Sequence, residues 1–247
     1  MNLVLDLGNS KVKVAIMDAD GNIIEEICHD VVPFDWIKER SCKYGVDAAI
    51  WCSTRVVDNA TSELLKKLAP INVHFLPGIT EIPIENCYDN RKQVGADRLA
   101  LAVGVFNALP GKDCLIFDFG TALTVDFLSA DGKFMGGCIS PGLGLRFGVL
   151  HDHTAQLPLV NIERIEEIGD TIPSNTYDAI SLGVYRSMLY EIEGHISRHP
   201  GVEIIFSGYD AKFFVNQFKI TIFAKYDILL LRGLNLILEH YKRIVKE

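Results

Sequence analysis

Asp6, Gly8, Asn9 and Ser10 stand together in the stretch Leu3 to Ala15, LVLDLGNSKVKVA. A short glycine-bearing loop aims successive backbone N–H groups at one point, and such nests hold phosphate oxygens. The carboxylate of Asp6 beside that point suits a hydrated Mg²⁺ that bridges phosphates. Lys11 and Lys13 follow at once, and strand alternation is expected to put both on one face. A second group, Asp118, Gly120 and Thr121 in LIFDFGTALTVDF (Leu115 to Phe127), repeats the arrangement 112 residues later. A third, Gly95-Ala96-Asp97-Arg98, opens an apolar helical stretch. There Asp97 is either a helix cap or a general base that takes a hydroxyl proton during phosphoryl transfer. One loop alone is explained by a hairpin whose Gly and Asn supply φ > 0. Two related loops, each led by Asp, point instead to a nucleotide held between two halves of the chain.

The elements that must carry these groups follow from periodicity. Leu3–Ala15 reads as strand, polar loop and a second strand alternating Val12, Val14 and Ile16. An Asp-Gly turn follows each copy of this unit, at Asp20-Gly21 and Asp131-Gly132, an offset of 111 residues. Repeats of this kind set the architecture before anything else does. The first half continues with a strand at 22–29, a helix at Phe34–Tyr44 after Pro33, a buried strand at Ala48–Cys52, a helix at 59–68 and a strand at 73–76. A polar irregular stretch, 81–94, leads to the apolar helix through Leu99, Ala102, Val103, Phe106 and Leu109, which Pro110-Gly111 stops. The second half repeats the hairpin, adds a strand at 134–139 and enters the glycine-rich Ser140 to Leu145. It closes with a helix at 176–195, a strand at 202–206, a turn at Ser207-Gly208, a helix at 211–218, a strand at 220–224 and an amphipathic helix at 229–245. Alternating strands and helices predict an α/β protein with mixed sheets covered by helices, in two lobes, 1–110 and 111–247.

A chain of 247 residues is long enough for two cores. Its 49% hydrophobic and 23% charged residues are ordinary for a globular protein. A net charge of −8 provides no basic face for a nucleic-acid backbone, so no nucleic-acid partner is expected. No run of eighteen apolar residues exists and Met1 leads straight into a strand, so neither a membrane span nor an export signal is expected, and the expected location is cytoplasmic. The six cysteines form no C-x-x-C and are expected to be reduced and mostly buried. His151-Asp152-His153 lacks partners at zinc-like spacing and is expected to be a polar loop. There is no G-x-x-x-x-G-K-[ST], and Gly142-x-Gly144 lacks the third glycine of a dinucleotide fingerprint.

Taken together these residues resemble the type III pantothenate kinases, members of the acetate-kinase/sugar-kinase/Hsp70/actin superfamily, over nearly the whole chain. The resemblance implies two RNase-H-like (actin-like ATPase) lobes, each a mixed sheet flanked by helices, with ATP in the cleft between them. The family's phosphate loop, D-x-G-N-T/S with basic residues after it, is matched by Asp6, Leu7, Gly8, Asn9, Ser10, Lys11, Val12 and Lys13, which implies ATP contacts along that stretch. It also implies Mg²⁺ held by Asp6 through water. The G-x-D-R motif is matched by Gly95, Ala96, Asp97 and Arg98. This implies that Asp97 is the base and that Arg98 and its neighbours bind pantothenate. Tyr88, nine residues before Asp97, matches a tyrosine of the pantothenate pocket. In the intact D-F-G-T-A of Asp118 to Ala122, the resemblance makes Asp118 a ligand for a monovalent cation, K⁺ or NH₄⁺, and Thr121 an ATP contact. Asn175, Thr176, Ala179 and Ile180 match N-T-x-x-A-I, which implies that Thr176 reaches pantothenate from the partner in a homodimer. Two positions depart from the pattern: Arg91 stands where many members have proline, and Ser207-Gly208-Tyr209-Asp210 replaces T-G-G-D.

The expected activity is therefore transfer of phosphate from ATP to pantothenate, the first step of coenzyme A biosynthesis. Two other readings are a nucleotide-binding transcription-accessory protein without kinase activity, and a kinase of the same superfamily acting on a sugar or short acid. Asp97-Arg98 and Asp118 to Thr121 argue against the first. Tyr88, Gly95 to Arg98 and Thr176 together argue against the second.

Overall fold

A computed structural model describes residues 1–160, 172–224 and 228–245. The chain forms two compact units. Unit 1 comprises Met1–Cys114, Asp126–Gly136 and the closing helix, and unit 2 comprises Leu115–Val125 and the described residues of 137–226. The first handover, at Cys114, falls just beyond Pro110-Gly111. The closing helix returns to unit 1 because its apolar face packs on an N-terminal helix.

Five strands of unit 1, β1 (Asn2–Leu7), β2 (Val12–Met17), β3 (Ile23–His29), β4 (Ala48–Ser53) and β5 (Ile71–His74), form one sheet in the order β3-β2-β1-β4-β5. β1 runs antiparallel to β2 and parallel to β4, so the sheet is mixed. β1 is buried along its whole length, Leu3, Val4, Leu5 and Leu7 in the core and the polar Asn2 and Asp6 buried with them. β3 is an edge strand whose burial alternates along its length. Helix α1 (Phe34–Tyr44) ends at Gly45, whose φ of 60° closes a left-handed cap, and α2 (Asn59–Leu65) is capped by the Asp58 carboxylate.

The second sheet has six strands. β7 (Cys114–Phe119), β8 (Ala122–Leu128), β9 (Lys133–Pro141), β10 (Glu203–Ser207) and β11 (Ile222–Ala224) stand in the order β9-β8-β7-β10-β11, which repeats that of the first sheet. The short β6 (Glu85–Asn86) is added beyond β9. The fold is thus α/β with two mixed sheets built to one plan, as the repeated hairpin implied. Glu85 N–H donates to Gly132 O (2.8 Å) and Cys87 N–H to Phe134 O (3.0 Å), so the 81–94 stretch carries a strand that its own sequence does not announce.

In unit 1, α3 (Ala96–Ala108) crosses the closing helix α6 (Ile228–Ile244) at Gly104 and Gly233. A Cβ on Gly233 would collide with Ala100 O, and one on Gly104 with Leu229 O, so only glycine permits this crossing. A buried polar lattice ties α6 to β1: Asn2 Nδ2 donates to Asn235 Oδ1 and to Glu239 Oε1, each at 2.7 Å, and Lys242 Nζ donates to Asn2 Oδ1 at 2.6 Å.

Unit 2 carries α4 (Leu143–Asp152), α5 (Thr176–Arg198) and an aromatic core. Phe119 lies 4.9 Å from Phe206 and 5.4 Å from Phe214, and Phe214 stacks 5.1 Å from Tyr185. The helix expected at 211–218 is instead two short 3-10 turns, Tyr209–Phe213 and Val215–Gln217. Phe214, fully buried between Phe119 and Tyr185, interrupts the segment between them. His151 and Asp152 form the last residues of α4 rather than a loop, and His151 Nδ1 contacts Leu157 O at 2.9 Å. The expectation of mostly buried thiols also fails. Only Cys52 and Cys114 are buried, while Cys28, Cys42 and Cys138 are exposed, Cys28 because it lies on the edge strand β3. Among the described residues no helix is long and apolar enough to cross a membrane.

Candidate active site

Asp6 is the last residue but one of β1, and Asp118 holds the same place in β7. Strand geometry alone therefore brings each carboxylate to the mouth of its own hairpin. Asp6 is 2% exposed, and its charge is compensated by Lys13 Nζ at 3.4 Å from Oδ2. Its other oxygen, Oδ1, accepts from Cys52 Sγ at 3.5 Å. Burial and the neighbouring Asp6 and Asp97 carboxylates push the Cys52 thiol well above its ordinary range, so it stays a neutral donor.

β1 and β2 do form an antiparallel hairpin, but Gly8 is not among the glycines with positive φ, so it does not supply the left-handed position expected of it. A Cβ there would press on Lys11 O at 3.0 Å and meet Asp6 Oδ2 at an ordinary 3.5 Å, so the position is tight rather than closed to a side chain. Nor do the two lysines act together. Lys11 precedes β2 and pairs with Asp30 at 2.6 Å on the surface, whereas Lys13, inside β2 and opposite Asp6 in register, turns to Asp6. Asn9 and Ser10 are exposed in the loop, Leu7 is buried at the end of β1, and Val12 is buried at the start of β2.

Asp97 occupies the first turn of α3, whose N-cap is Gly95. Its Oδ1 accepts the Arg98 N–H at 2.8 Å, so the carboxylate does serve the helix end. It folds back so tightly that a Cβ on Gly95 would push Oδ1 aside, so glycine here leaves the carboxylate where it is. Burial raises the Asp97 carboxyl above the ordinary aspartate range, opposed by the Arg98 N–H and by the positive charges of Arg98 and Lys13. Lys13 thus acts on both Asp6 and Asp97, and these two carboxylates share one electrostatic neighbourhood inside unit 1.

Arg98 is 5% exposed and forks onto Asp126, with Nε donating to Oδ2 at 3.0 Å and Nη2 to Oδ1. Burial alone would lower its basicity, but the bidentate contact with Asp126 more than offsets that and keeps it a fixed cation. Its guanidinium carbon sits 5.7 Å from the ring centres of both Tyr88 and Phe134. Tyr88 is held in place by its N–H donating to Asn86 Oδ1 (3.1 Å) and by Gly136, where a Cβ would press to 2.9 Å on the ring. Asn86 in turn donates to Arg91 O at 3.1 Å. Arg91 serves through its backbone while its side chain is exposed, so the missing proline does not prevent this loop from forming. Asp126 was not foreseen from the sequence. Its one signal was a charged residue among the mostly apolar residues of LTVDFL.

In unit 2, Asp118 is half-buried beside the two-residue loop Gly120-Thr121. Gly142 N–H donates to Thr121 O at 3.0 Å, and a Cβ on Gly142 would collide with Gly120 O. Gly208, at φ 95°, presses on the Phe119 backbone, with a Cβ–O distance of 2.6 Å were a Cβ present. Tyr209 next to it is 59% exposed under the Lys212 ammonium, so its bulk is accommodated outside the fold. Thr176 opens α5 after the Asn175 cap and lines a largely apolar groove of about 830 Å³ with Leu145, Val149, Ile180 and Val184.

The chain is similar to type III pantothenate kinases along nearly its whole length. The chain is 35% identical to the type III pantothenate kinase of Bacteroides fragilis strain YCH46 over 245 residues, covering 97% of this chain and 98% of that one. It is 33% identical to that of Flavobacterium johnsoniae, covering 93% and 94%. Among solved structures, a Campylobacter jejuni protein assigned provisionally to the Baf family of transcriptional activators aligns with a TM-score of 0.62 at 21% identity, over 98% and 99% of the two chains. The ADPNP-bound activator of 2-hydroxyisocaproyl-CoA dehydratase from Clostridium difficile aligns at 0.58 and 12% identity, over 99% and 96%. These two likenesses show the fold alone. The family of type III pantothenate kinases itself matches residues 2–198, and this chain belongs to it.

Proposed function

We propose that the chain transfers the γ-phosphoryl group of ATP to the primary hydroxyl of pantothenate, giving 4′-phosphopantothenate. Membership of the family supports the activity. The observation that carries the mechanism is Lys13, which pairs with Asp6 and acts on Asp97, so that a proton acceptor stands beside the phosphate loop. Amides of Gly8 to Lys11 hold the phosphate oxygens, and Lys13 offsets the charge that gathers there. Arg98, presented by Asp126, and Tyr88 line the pantothenate side with Gly95 and Ala96. Asp97 accepts the hydroxyl proton, which is acidic only once the P–O bond to ADP is largely broken. Its raised basicity makes it better suited to this than an ordinary aspartate.

The donor set near Asp6 fits Mg²⁺ carried in with ATP. Among the described residues no group of three or more His, Cys, Asp or Glu could cage a metal, and one carboxylate acting through water is the mode Mg²⁺ commonly uses with nucleotides. Bound there, Mg²⁺ would neutralise charge on the transferred phosphate. On the same reading Asp118 serves a monovalent cation, K⁺ or NH₄⁺, and Thr121 meets ATP. The boundary between the two lobes is taken near Gly111. Thr176 reaches the pantothenate of a second copy in a homodimer, and the enzyme works in the cytoplasm.

ADP release by the purified chain, with pantothenate set against a panel of sugars and short acids, tests the substrate. Turnover with pantothenate alone is expected, and turnover with a sugar but not pantothenate would overturn the assignment. Asp97→Asn is expected to bind MgADP as the parent does while losing about 10²–10⁴ in kcat.

A further inference from the structure

Arg55, in the connection between β4 and α2, belongs to none of the motifs above, yet it reaches the phosphate loop. Its Nε donates to Gly8 O at 2.8 Å and its Nη1 to Asp30 O at 3.1 Å. Asp30 also holds Lys11, at 2.6 Å through its carboxylate. The base of Arg55 is fixed in turn, since Ser53 Oγ donates to Arg55 O at 2.8 Å and accepts the Arg55 N–H at 3.2 Å. The neighbouring Thr54 N–H donates to Leu7 O at 3.1 Å. The β4–α2 connection therefore takes two successive carbonyls of the phosphate loop, those of Leu7 and Gly8.

A trans peptide is planar, with its C=O and the following N–H pointing in opposite directions. Drawing the Leu7 and Gly8 carbonyls toward Thr54 and Arg55 must turn the Gly8 and Asn9 N–H groups toward the opposite side. Two adjacent amides aimed the same way are the start of an anion nest. Arg55 is a costly choice for bracing alone: its Nη2 is shielded from solvent and has no hydrogen-bond partner among the described residues. A lysine supplies charge but no planar fork able to serve two carbonyls at fixed angles.

We propose that Arg55 is a positioning residue for nucleotide binding, which sets the direction of the Gly8 and Asn9 amides by holding the Gly8 carbonyl. This deepens the phosphate-loop reading above and rests on it. The test measures the calorimetric Kd for MgADP, KM for ATP, KM for pantothenate and the thermal midpoint of the nucleotide-free protein, in the parent chain, Arg55→Lys and Arg55→Gln. Both variants are expected to bind MgADP about tenfold more weakly and to raise KM for ATP by a similar factor, the loss of about one charge-assisted hydrogen bond. KM for pantothenate should stay close to the parent's, as expected when only nucleotide binding is weakened. Parent-like MgADP affinity in Arg55→Lys would mean that charge alone matters and would overturn the proposal. So would an equal rise in both KM values together with a lowered thermal midpoint, the mark of general loosening. If the parent chain binds MgADP but leaves pantothenate untouched, the proposed activity falls while the Arg55 comparison still stands. If the parent chain does not bind MgADP, both fall.

Discussion

Replacing Asp126 by Asn removes one charge from a buried pair and leaves its shape almost unchanged. At the 3.0 Å Nε–Oδ2 separation and an effective dielectric of about 20, the attraction between the unit charges is about 5–6 kcal/mol. Measured losses on removing one partner of a buried pair run to about 3–5 kcal/mol, because the remaining charge stays desolvated. Arg98 cannot escape by losing its proton, so it remains a cation 5% exposed between Tyr88 and Phe134. The Asn carbonyl still accepts one N–H while its NH₂ faces the other, which puts the expected loss near the low end, about 3 kcal/mol. For a chain of this size that corresponds to a fall of roughly 6–12 °C in the unfolding temperature. The decisive assay is a double-mutant cycle followed by thermal or urea unfolding, using Asp126→Leu, Arg98→Met and the double variant. The double variant should be more stable than either single one, since it leaves no orphan charge. Strictly additive losses, or a fall of under 2 °C for Asp126→Asn, would refute the account of the pair.

Asp97 titrates above the ordinary aspartate range, chiefly through burial, so the acid limb of kcat/KM should lie above that range and disappear in Asp97→Asn. The native state then holds a proton that the unfolded chain has already released, and stability from this group falls as pH rises through the raised value. Asp97→Asn should accordingly be at least as stable as the parent at pH ~7, with the difference closing toward pH ~4; a destabilised variant at neutral pH would contradict this. Gly95→Ala has compatible backbone angles (φ −63°, ψ 135°) but drives its methyl into Asp97 Oδ1. It should lower kcat about 10²-fold by displacing the carboxylate, with MgADP affinity retained, and normal turnover would sink the steric reading. Gly233→Ala should cost about 1–3 kcal/mol by forcing α6 off Ala100 O, visible as a lower urea midpoint. An unchanged midpoint would mean that the helices yield freely.

The hairpins were legible because their information is local: alternation, a short loop and an Asp-Gly turn. Even the slip in their offset has a structural cause. The second loop is two residues shorter than the first and the strand after it one residue longer, so an offset of 112 at the aspartates becomes 111 at the turns. What stayed hidden depends on distant partners. β6 exists only because β9 offers it hydrogen bonds, and Arg98 finds Asp126 twenty-eight residues along the chain. Arg55 was likewise invisible, because holding a carbonyl of another loop leaves no spacing signature. The misread helix at 211–218, AKFFVNQF, had little helix propensity of its own, and burial of Phe214 against two rings broke it into short turns.

The crossing of α3 and α6 also bears on the protein's birth at the ribosome. Nearly every residue of α3 from Leu99 to Val105 is apolar and buried, and the helix that covers it is made about 120 residues later. At ~5–20 residues per second, α3 waits roughly 6–24 s for its cover. During that interval the nascent chain presents a sticky helix with no mate, a natural grip for a chaperone.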